Sequence, residues 1–202
     1  FIYGRQSCDK RKLEQGDIDV GNYMFGGQEA LTVLDDVFVP WERVFMCGEV
    51  DFSGMVVERF ASYHRQSYGG CKPGIGDVLV GAAAAMTEYN NVAKASHVRD
   101  KIAEMNHVIE TLHACGLAAS TQGTKTKAGN YLPDILLANV CKMNVTRYPY
   151  ELCRIAEDLA GGAMVTIPSE CDLRSAEIGK YVEKYFKGAG KVSAEERLRM
   201  LS

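Results

Sequence analysis

The sequence lacks three features that would place a protein in a class at once. No apolar run reaches the roughly 18–20 residues needed to span a bilayer, so no membrane segment is predicted. No basic run occurs and the formal net charge is −3, which gives no electrostatic reason to expect a nucleic-acid partner. The seven cysteines are widely spaced without a CxxC pair, unlike a zinc finger or a secreted disulfide framework. A reducing cytoplasm is the simplest compartment for them.

The composition is that of a soluble globular protein, with 47 % hydrophobic and 24 % charged residues. The chain begins with FIYGRQ and ends with EERLRMLS, just after the capping pattern Ser193-Ala-Glu-Glu196 opens a helix. A natural domain seldom ends so soon after a helix begins. We therefore expect a fragment of a longer protein, with some partners of any site outside it.

Residues 1–48 have the character of a β domain. The segments DIDVGNYMF and ALTVLDDVFVPWERVF predict two or three short strands, with a turn at Asp35-Asp36. Because so few strands cannot close a sheet, we expect the tail of a larger β domain.

Residues 49–202 have helical periodicity, which predicts a mainly α bundle. A first helix ends near Gly69-Gly70, and a second runs from about Ile75 to Ala95. A polar loop is predicted over 121–133. The other predicted helices are one with an apolar stripe (Val98, Ile102, Met105, Ile109, Leu112), one from Pro133 to Leu159 kinked or divided at Pro149, and one from Asp172 to Phe186.

The segment YHRQSYGGCK at 63–72 holds the strongest candidate site. His64, Tyr68 and Cys71 follow the i, i+4, i+7 spacing of one helical face, which predicts that they point together into the bundle interior. Imidazole and thiolate both bind iron and zinc, and Lys72 would favour the thiolate. Two ligands cannot hold a metal centre alone, and core-lining residues show the same spacing. The spacing leaves both interpretations open.

Longer segments carry a family resemblance. LTVLDDVFVPWERVF at 31–45 resembles the end of the middle β domain in acyl-CoA dehydrogenase-like flavoproteins. Residues 63–86 and 157–172, YHRQSYGGCKPGIGDVLVGAAAAM and EDLAGGAMVTIPSECD, resemble the 4-hydroxybutyryl-CoA dehydratase (vinylacetyl-CoA isomerase) family. The resemblance implies a mainly α fold: an acyl-CoA dehydrogenase-like C-terminal helical bundle, truncated here to 49–202, after the tail of a middle β domain at 1–48.

The resemblance also implies two cofactors, FAD and a [4Fe–4S] cluster. In this family three cysteines and one histidine hold the cluster, and His64 and Cys71 match two of these ligands. The other two belong to a C-x3-C pair in the N-terminal domain. Because this chain has no C-x3-C, we expect it to be inactive alone.

Catalytic and flavin-binding residues are carried over by the same resemblance. His64 is the implied base for the hydrogen that is removed, Tyr68 a donor to the departing oxygen, and Lys72 a group that orients a carboxylate or stabilises charge. A packed aromatic and a solvated lysine are the ordinary alternatives for the last two. Glu29 in GGQEA resembles a family glutamate near the site. Gly161, Gly162, Thr166 and Ser169 resemble a stretch near the flavin, although a helix C-cap also explains the glycine pair.

The implied function is radical dehydration of 4-hydroxybutyryl-CoA to crotonyl-CoA, with vinylacetyl-CoA Δ-isomerase activity. The resemblance implies that flavin supplies a one-electron oxidation and that one iron acts as a Lewis acid for the leaving hydroxyl. The family implies a cytoplasmic homotetramer, a dimer of dimers, acting on acyl-CoA. Two alternatives stay open: an FAD-dependent aromatic hydroxylase of the 4-hydroxyphenylacetate 3-monooxygenase type without a cluster, and a non-catalytic helical assembly module. A C-x3-C pair in the N-terminal sequence would distinguish the dehydratase from the aromatic hydroxylase.

Overall fold

A computed structural model describes residues 2–4 and 30–202, which fall into two compact units. One unit is Phe1–Val50 with Thr166–Ser202, and the other is Asp51–Val165. In chain order the elements are β1 (Ile2–Gly4), β2 (Ala30–Thr32), α1 (Ser53–Tyr89), α2 (Ser96–Thr121), β3 (Thr124–Lys125), β4 (Tyr131–Leu132), α3 (Ile135–Val145), α4 (Tyr148–Leu159), α5 (Glu170–Arg174), α6 (Gly179–Phe186) and α7 (Ala194–Leu201). Among these described elements, no helix is long and apolar enough to cross a membrane.

In the unit that contains the chain's first residues, β1 pairs antiparallel with β2, and Tyr3 lies opposite Leu31. The chain bends at Asp35-Asp36, where Asp36 has a φ of +50°, so the predicted turn is confirmed. The predicted strand in DIDVGNYMF lies outside the described residues.

The helix predicted over Asp172–Phe186 is wrong, because the structure divides it into α5 and α6. Ser175 causes the break. Its backbone is extended, with ψ at 128°, and its hydroxyl accepts hydrogen bonds from the N–H groups of Glu177 and Ile178 at 3.3 Å. The predicted capping pattern at α7 is confirmed, since Ser193 and Glu196 form a reciprocal capping box.

The core of the Asp51–Val165 unit lies between α2, α4 and the C-terminal half of α1. The predicted apolar stripe of α2 is confirmed, with Met105 and Leu112 fully buried and Ile102 partly buried. Residues of all three helices form one cluster: Ala83, Val98, Met105, Val108, Ile109, Leu152, Ile155, Ala156 and Leu159. Burying such side chains is the main driving force for folding.

The long helix predicted from Pro133 is divided near Pro149, which is one of the two predicted outcomes. α3 ends at Val145 and α4 begins at Tyr148. Pro149 lies in the first turn of α4, where a missing N–H removes no helical hydrogen bond. The predicted polar loop at 121–133 differs from the structure, since it contains the short hairpin of β3 and β4.

α1 runs unbroken through Gly69-Gly70 and Pro73, so the predicted helix end and the separate helix over Ile75–Ala95 are wrong. Gly69 serves packing and does not end the helix. A Cβ on Gly69 would overlap the Cα of Gly116 in α2, and a Cβ on Gly116 would lie 2.6 Å from the Cα of Gly69. Only glycine allows two helix backbones to approach so closely. α1 also continues through Pro73, although proline cannot donate the helical hydrogen bond of that position.

The close approach predicts opposite effects of alanine at two neighbouring positions. Gly69→Ala should lower the free energy of unfolding by about 2–3 kcal/mol, because the new methyl group meets backbone that cannot move aside. Gly70→Ala should raise it by about 0.5–1 kcal/mol, because nothing lies within 4 Å and alanine favours a helix. Denaturant unfolding followed by circular dichroism measures both. Equal stability of the two variants would contradict the role of Gly69.

Candidate functional site

The residues of YHRQSYGGCK lie on α1, but not on the face that was predicted. His64 and Cys71 are exposed and Tyr68 is half-buried, so the expectation that they point into the bundle interior is wrong. The inward stripe of α1 contains Gly69 and Pro73 instead. Cys71 lies two residues after Gly69, about 200° around the helix, and so it faces away from α2. The exposed face that carries His64, Tyr68 and Cys71 is called the α1 site face below.

His64 is held between two aromatic rings of the α1 site face. Phe60 stacks on the imidazole with ring centroids 5.6 Å apart and planes 18° apart. Tyr68 meets it edge-on at 5.0 Å, and the Tyr68 hydroxyl is hydrogen-bonded to His64 Nε2 at 2.8 Å. Hydrogen-bonded imidazole and phenol form a pair through which a proton can move.

Hydrogen bonds from neighbouring residues fix this part of α1 to the rest of its unit. The Tyr63 hydroxyl donates to the Tyr131 carbonyl of β4, and the Arg65 guanidinium donates to Asn139 of α3. Gln66 Nε2 donates to Ser120 Oγ of α2 at 2.6 Å. The orientation of the α1 site face is thus set by three different elements.

Two ammonium groups approach the Tyr68 ring. Lys72 Nζ is 5.7 Å from the ring centroid, and Lys142 Nζ of α3 is 4.2 Å from it. Sequence reasoning missed Lys142, although it is the one charged residue in the apolar helix ILLANVCKMNV. That isolation was the signal that could have identified it.

A cavity of about 410 Å³ opens beside these groups. Tyr68, Lys72 and Lys142 supply polar groups to its wall. Most of the remaining wall is apolar, from Ile75, Gly76, Leu79, Leu112, Val145, Pro149, Tyr150, Leu152 and Cys153, with Thr146 adding a hydroxyl. Its size and its few polar groups are typical of a small-molecule site.

Outside the α1 site face, Cys47, Cys153 and Cys171 are exposed. Cys8 lies outside the described residues. Cys141 is fully buried and Cys115 is half-buried. His97, His107 and His113 are exposed.

Burial raises the pKa of the Cys141 thiol, and the neighbouring Cys115 and Cys71 sulfurs raise it further. A hydrogen bond from the Gly69 backbone acts in the opposite direction. The buried Cys141 therefore stays a neutral thiol and is a poor candidate nucleophile or metal ligand.

The candidate flavin residues have well-defined local roles. Gly161 and Gly162 have φ values of +75° and +70° and close the C-terminus of α4, where their N–H groups donate to the Asp158 and Glu157 carbonyls at 3.0 Å. The C-cap interpretation is therefore confirmed. Thr166 ends a 3-10 turn, and Ser169 is the N-cap of α5 in a capping box. Their role toward a flavin stays a prediction.

The described residues supply half of the donor set that a [4Fe–4S] cluster needs. His64 and Cys71 have suitable donor atoms and are accessible on one helix. Nowhere in residues 2–4 and 30–202 do three or more potential ligands gather, so the remaining two would come from elsewhere. Glu29, the other candidate catalytic residue, lies outside the described residues. The donors present fit the cluster as a partial site.

The pKa of Cys141 predicts a dependence of stability on pH. Because the thiol pKa is higher in the folded chain than the ordinary value of 9.0, folding favours the protonated form, and this stability is lost as pH rises above that value. Between about pH 8 and 10, thermal unfolding should show a steeper loss for the wild type than for Cys141→Ala. Cys153→Ala, at an exposed position, is the control and should keep the wild-type slope. Identical slopes for all three proteins would contradict the prediction.

Comparison with known proteins gives matches along the whole chain. Residues 53–202 match the family described as "4-hydroxyphenylacetate 3-hydroxylase C terminal", and residues 1–46 match its N-terminal counterpart. Over 210 aligned residues the chain is 59 % identical to 4-hydroxybutyryl-CoA dehydratase/vinylacetyl-CoA-Δ-isomerase of Clostridium aminobutyricum, covering 100 % of this chain and 43 % of that protein.

Solved structures agree with the fold. An oxygen-tolerant archaeal 4-hydroxybutyryl-CoA dehydratase from N. maritimus superposes with a TM-score of 0.93 at 56 % identity, over 99 % of this chain and 40 % of that one. The oxygenase component of 4-hydroxyphenylacetate 3-monooxygenase complexed with FAD gives 0.71 at 26 % identity, over 84 % and 36 %. The predicted mainly α, acyl-CoA dehydrogenase-like fold is confirmed, and the chain spans less than half the length of these relatives.

Proposed function

The chain belongs to the 4-hydroxyphenylacetate 3-hydroxylase family. We propose that its protein has the activity for which the 59 % identical relative is named, so that it dehydrates 4-hydroxybutyryl-CoA to crotonyl-CoA and isomerises vinylacetyl-CoA. The observation that carries the proposal is the α1 site face, where an accessible imidazole and an accessible thiol lie seven residues apart beside a hydrogen-bonded phenol. Identity of 59 % to a dehydratase, against 27 % to a 4-hydroxyphenylacetate 3-monooxygenase, supports the dehydratase over the hydroxylase.

His64 and Cys71 are the residues of this chain that would hold the cluster. Seven residues of α-helix rise about 10.5 Å and return to nearly the same face. The two side chains could therefore approach one cluster from the same side of the helix. His64 Nε2 is hydrogen-bonded to the Tyr68 hydroxyl, and binding of the cluster through Nδ1 would leave this hydrogen bond in place. When bound, the cluster supplies a Lewis acid for the leaving hydroxyl and FAD supplies a one-electron acceptor.

The chain's own residues account for the proton transfers. When it is not bound to the cluster, the His64 imidazole, placed by Phe60 and Tyr68, can accept the proton from the substrate carbon. Tyr68 donates to the departing oxygen, and the Lys72 ammonium stabilises negative charge in the same place. The apolar wall of the cavity beside Tyr68 excludes water and accommodates the acyl chain.

Other features of the whole protein belong to the same proposal. FAD binding is supported by the FAD-complexed relative of the same fold, with Gly161, Gly162, Thr166 and Ser169 near the flavin. We place the remaining two cluster ligands and the substrate's CoA site largely in sequence outside this chain. Residues 1–48 would end the middle β domain and 49–202 would begin the C-terminal domain of a cytoplasmic homotetramer.

Cofactor content tests the proposal directly. The full-length protein, purified without oxygen, should contain FAD with about four irons and four acid-labile sulfides per subunit. Cys71→Ala and His64→Ala should lose iron, because each removes one ligand. Cys47→Ala, at an exposed position that is not part of α1, should keep it.

The same measurement separates the alternatives. FAD without iron in the wild type would move the protein to the aromatic hydroxylases and return His64 and Cys71 to structural roles. Neither flavin nor iron would favour a non-catalytic assembly module. Iron that persists in Cys71→Ala would contradict the ligand assignment while leaving the enzyme class intact.

A further inference from the structure

Lys142 occupies an unusual position for a lysine. It lies in α3 directly after the fully buried Cys141, and its side chain is half-buried. No ion pair formed among the described residues includes it. Its ammonium instead lies 4.2 Å from the centroid of the Tyr68 ring, within the range of an attractive cation–π contact.

The two lysines near Tyr68 differ in what they can do. Lys72 is on α1 with Tyr68 itself and is farther from the ring, at 5.7 Å. It moves with the helix that carries the phenol. Lys142 approaches from α3, which is anchored by Ala138 and Cys141, both fully buried. A contact between two elements can fix the ring relative to the unit, whereas one within α1 cannot.

We infer that Lys142 is a positioning residue that holds the Tyr68 ring so that its hydroxyl stays on His64 Nε2. The ring has a His64 edge contact on α1 and an ammonium contact from α3, so its tilt is defined from two directions. Without Lys142, the phenol can turn toward the adjoining cavity, which offers about 410 Å³ of space. Lys142 acts through Tyr68 and is not itself a proton donor in the reaction.

The consequence for the reaction rests on the proposed function. If Tyr68 donates to the departing oxygen, a phenol displaced from His64 loses the geometry for proton transfer, while the apolar cavity still binds the acyl chain. Misplacement of a reacting group by about 1 Å can cost about 100-fold in rate. The loss should therefore fall on kcat and leave KM nearly unchanged.

Lys142→Met tests the inference, because methionine keeps most of the length without the charge. In the anaerobic full-length holoenzyme, dehydration of 4-hydroxybutyryl-CoA should fall about 10- to 100-fold in kcat, with unchanged iron and FAD content. Lys142→Arg should restore most of the rate, since guanidinium also binds aromatic faces. Lys127→Met, which removes an exposed lysine from the β3–β4 connection, should match the wild type.

Two further measurements make the result decisive. Lys142→Met added to Tyr68→Phe should cause no additional loss, because both changes act through one hydroxyl. A crystal structure of the Lys142→Met holoenzyme should show the Tyr68 hydroxyl displaced from its 2.8 Å contact with His64 Nε2.

The outcomes distinguish the inference from the proposed function. Wild-type kcat in Lys142→Met, a multiplicative loss in the double variant, or an unmoved Tyr68 would overturn the role of Lys142. A wild-type protein without dehydratase activity would overturn the proposed function instead. The crystal structure of the variant would in that case still decide whether Lys142 positions Tyr68.

Discussion

The contact between Gly69 of α1 and Gly116 of α2 is the constraint on which the larger unit depends. It brings two helix backbones together where any Cβ would collide, and it lies on the face of α1 opposite to Cys71. Because the inward face of α1 is used for this contact, the side chains of the candidate site face the other way. The buried side of α1 carries packing, and the exposed side carries His64, Tyr68 and Cys71.

Much of the fold could be predicted from the sequence where one physical signal dominated. The apolar stripe predicted which face of α2 is buried, and Pro149 predicted the division between α3 and α4. Ser193 with Glu196 predicted the start of α7. Each signal is local, since it depends on residues within one or two helical turns. The structure that a local signal favours forms in the folded protein unless a tertiary contact opposes it.

The predictions that were wrong failed where a residue type has two physical meanings. Glycine can end a helix or permit a close backbone contact, and nothing near Gly69 in the sequence reveals that Gly116, 47 positions away, lies against it. The inward placement of the α1 site face was wrong for a separate reason, because the i, i+4, i+7 spacing shows that residues share a face but not which way that face points. Lys142 was missed because its contact is also distant in sequence: its ammonium lies over the ring of Tyr68, which belongs to another helix.

Placing packing and chemistry on opposite sides of one helix has an evolutionary consequence. Substitutions at His64 or Cys71 leave the Gly69–Gly116 contact and the α2 core untouched, so they can be tried without unfolding the unit. A lineage could therefore change the chemistry of this exposed helix face in a few point mutations. The interior would meanwhile remain under stringent purifying selection, since even a single methyl group at Gly69 is expected to destabilise the unit.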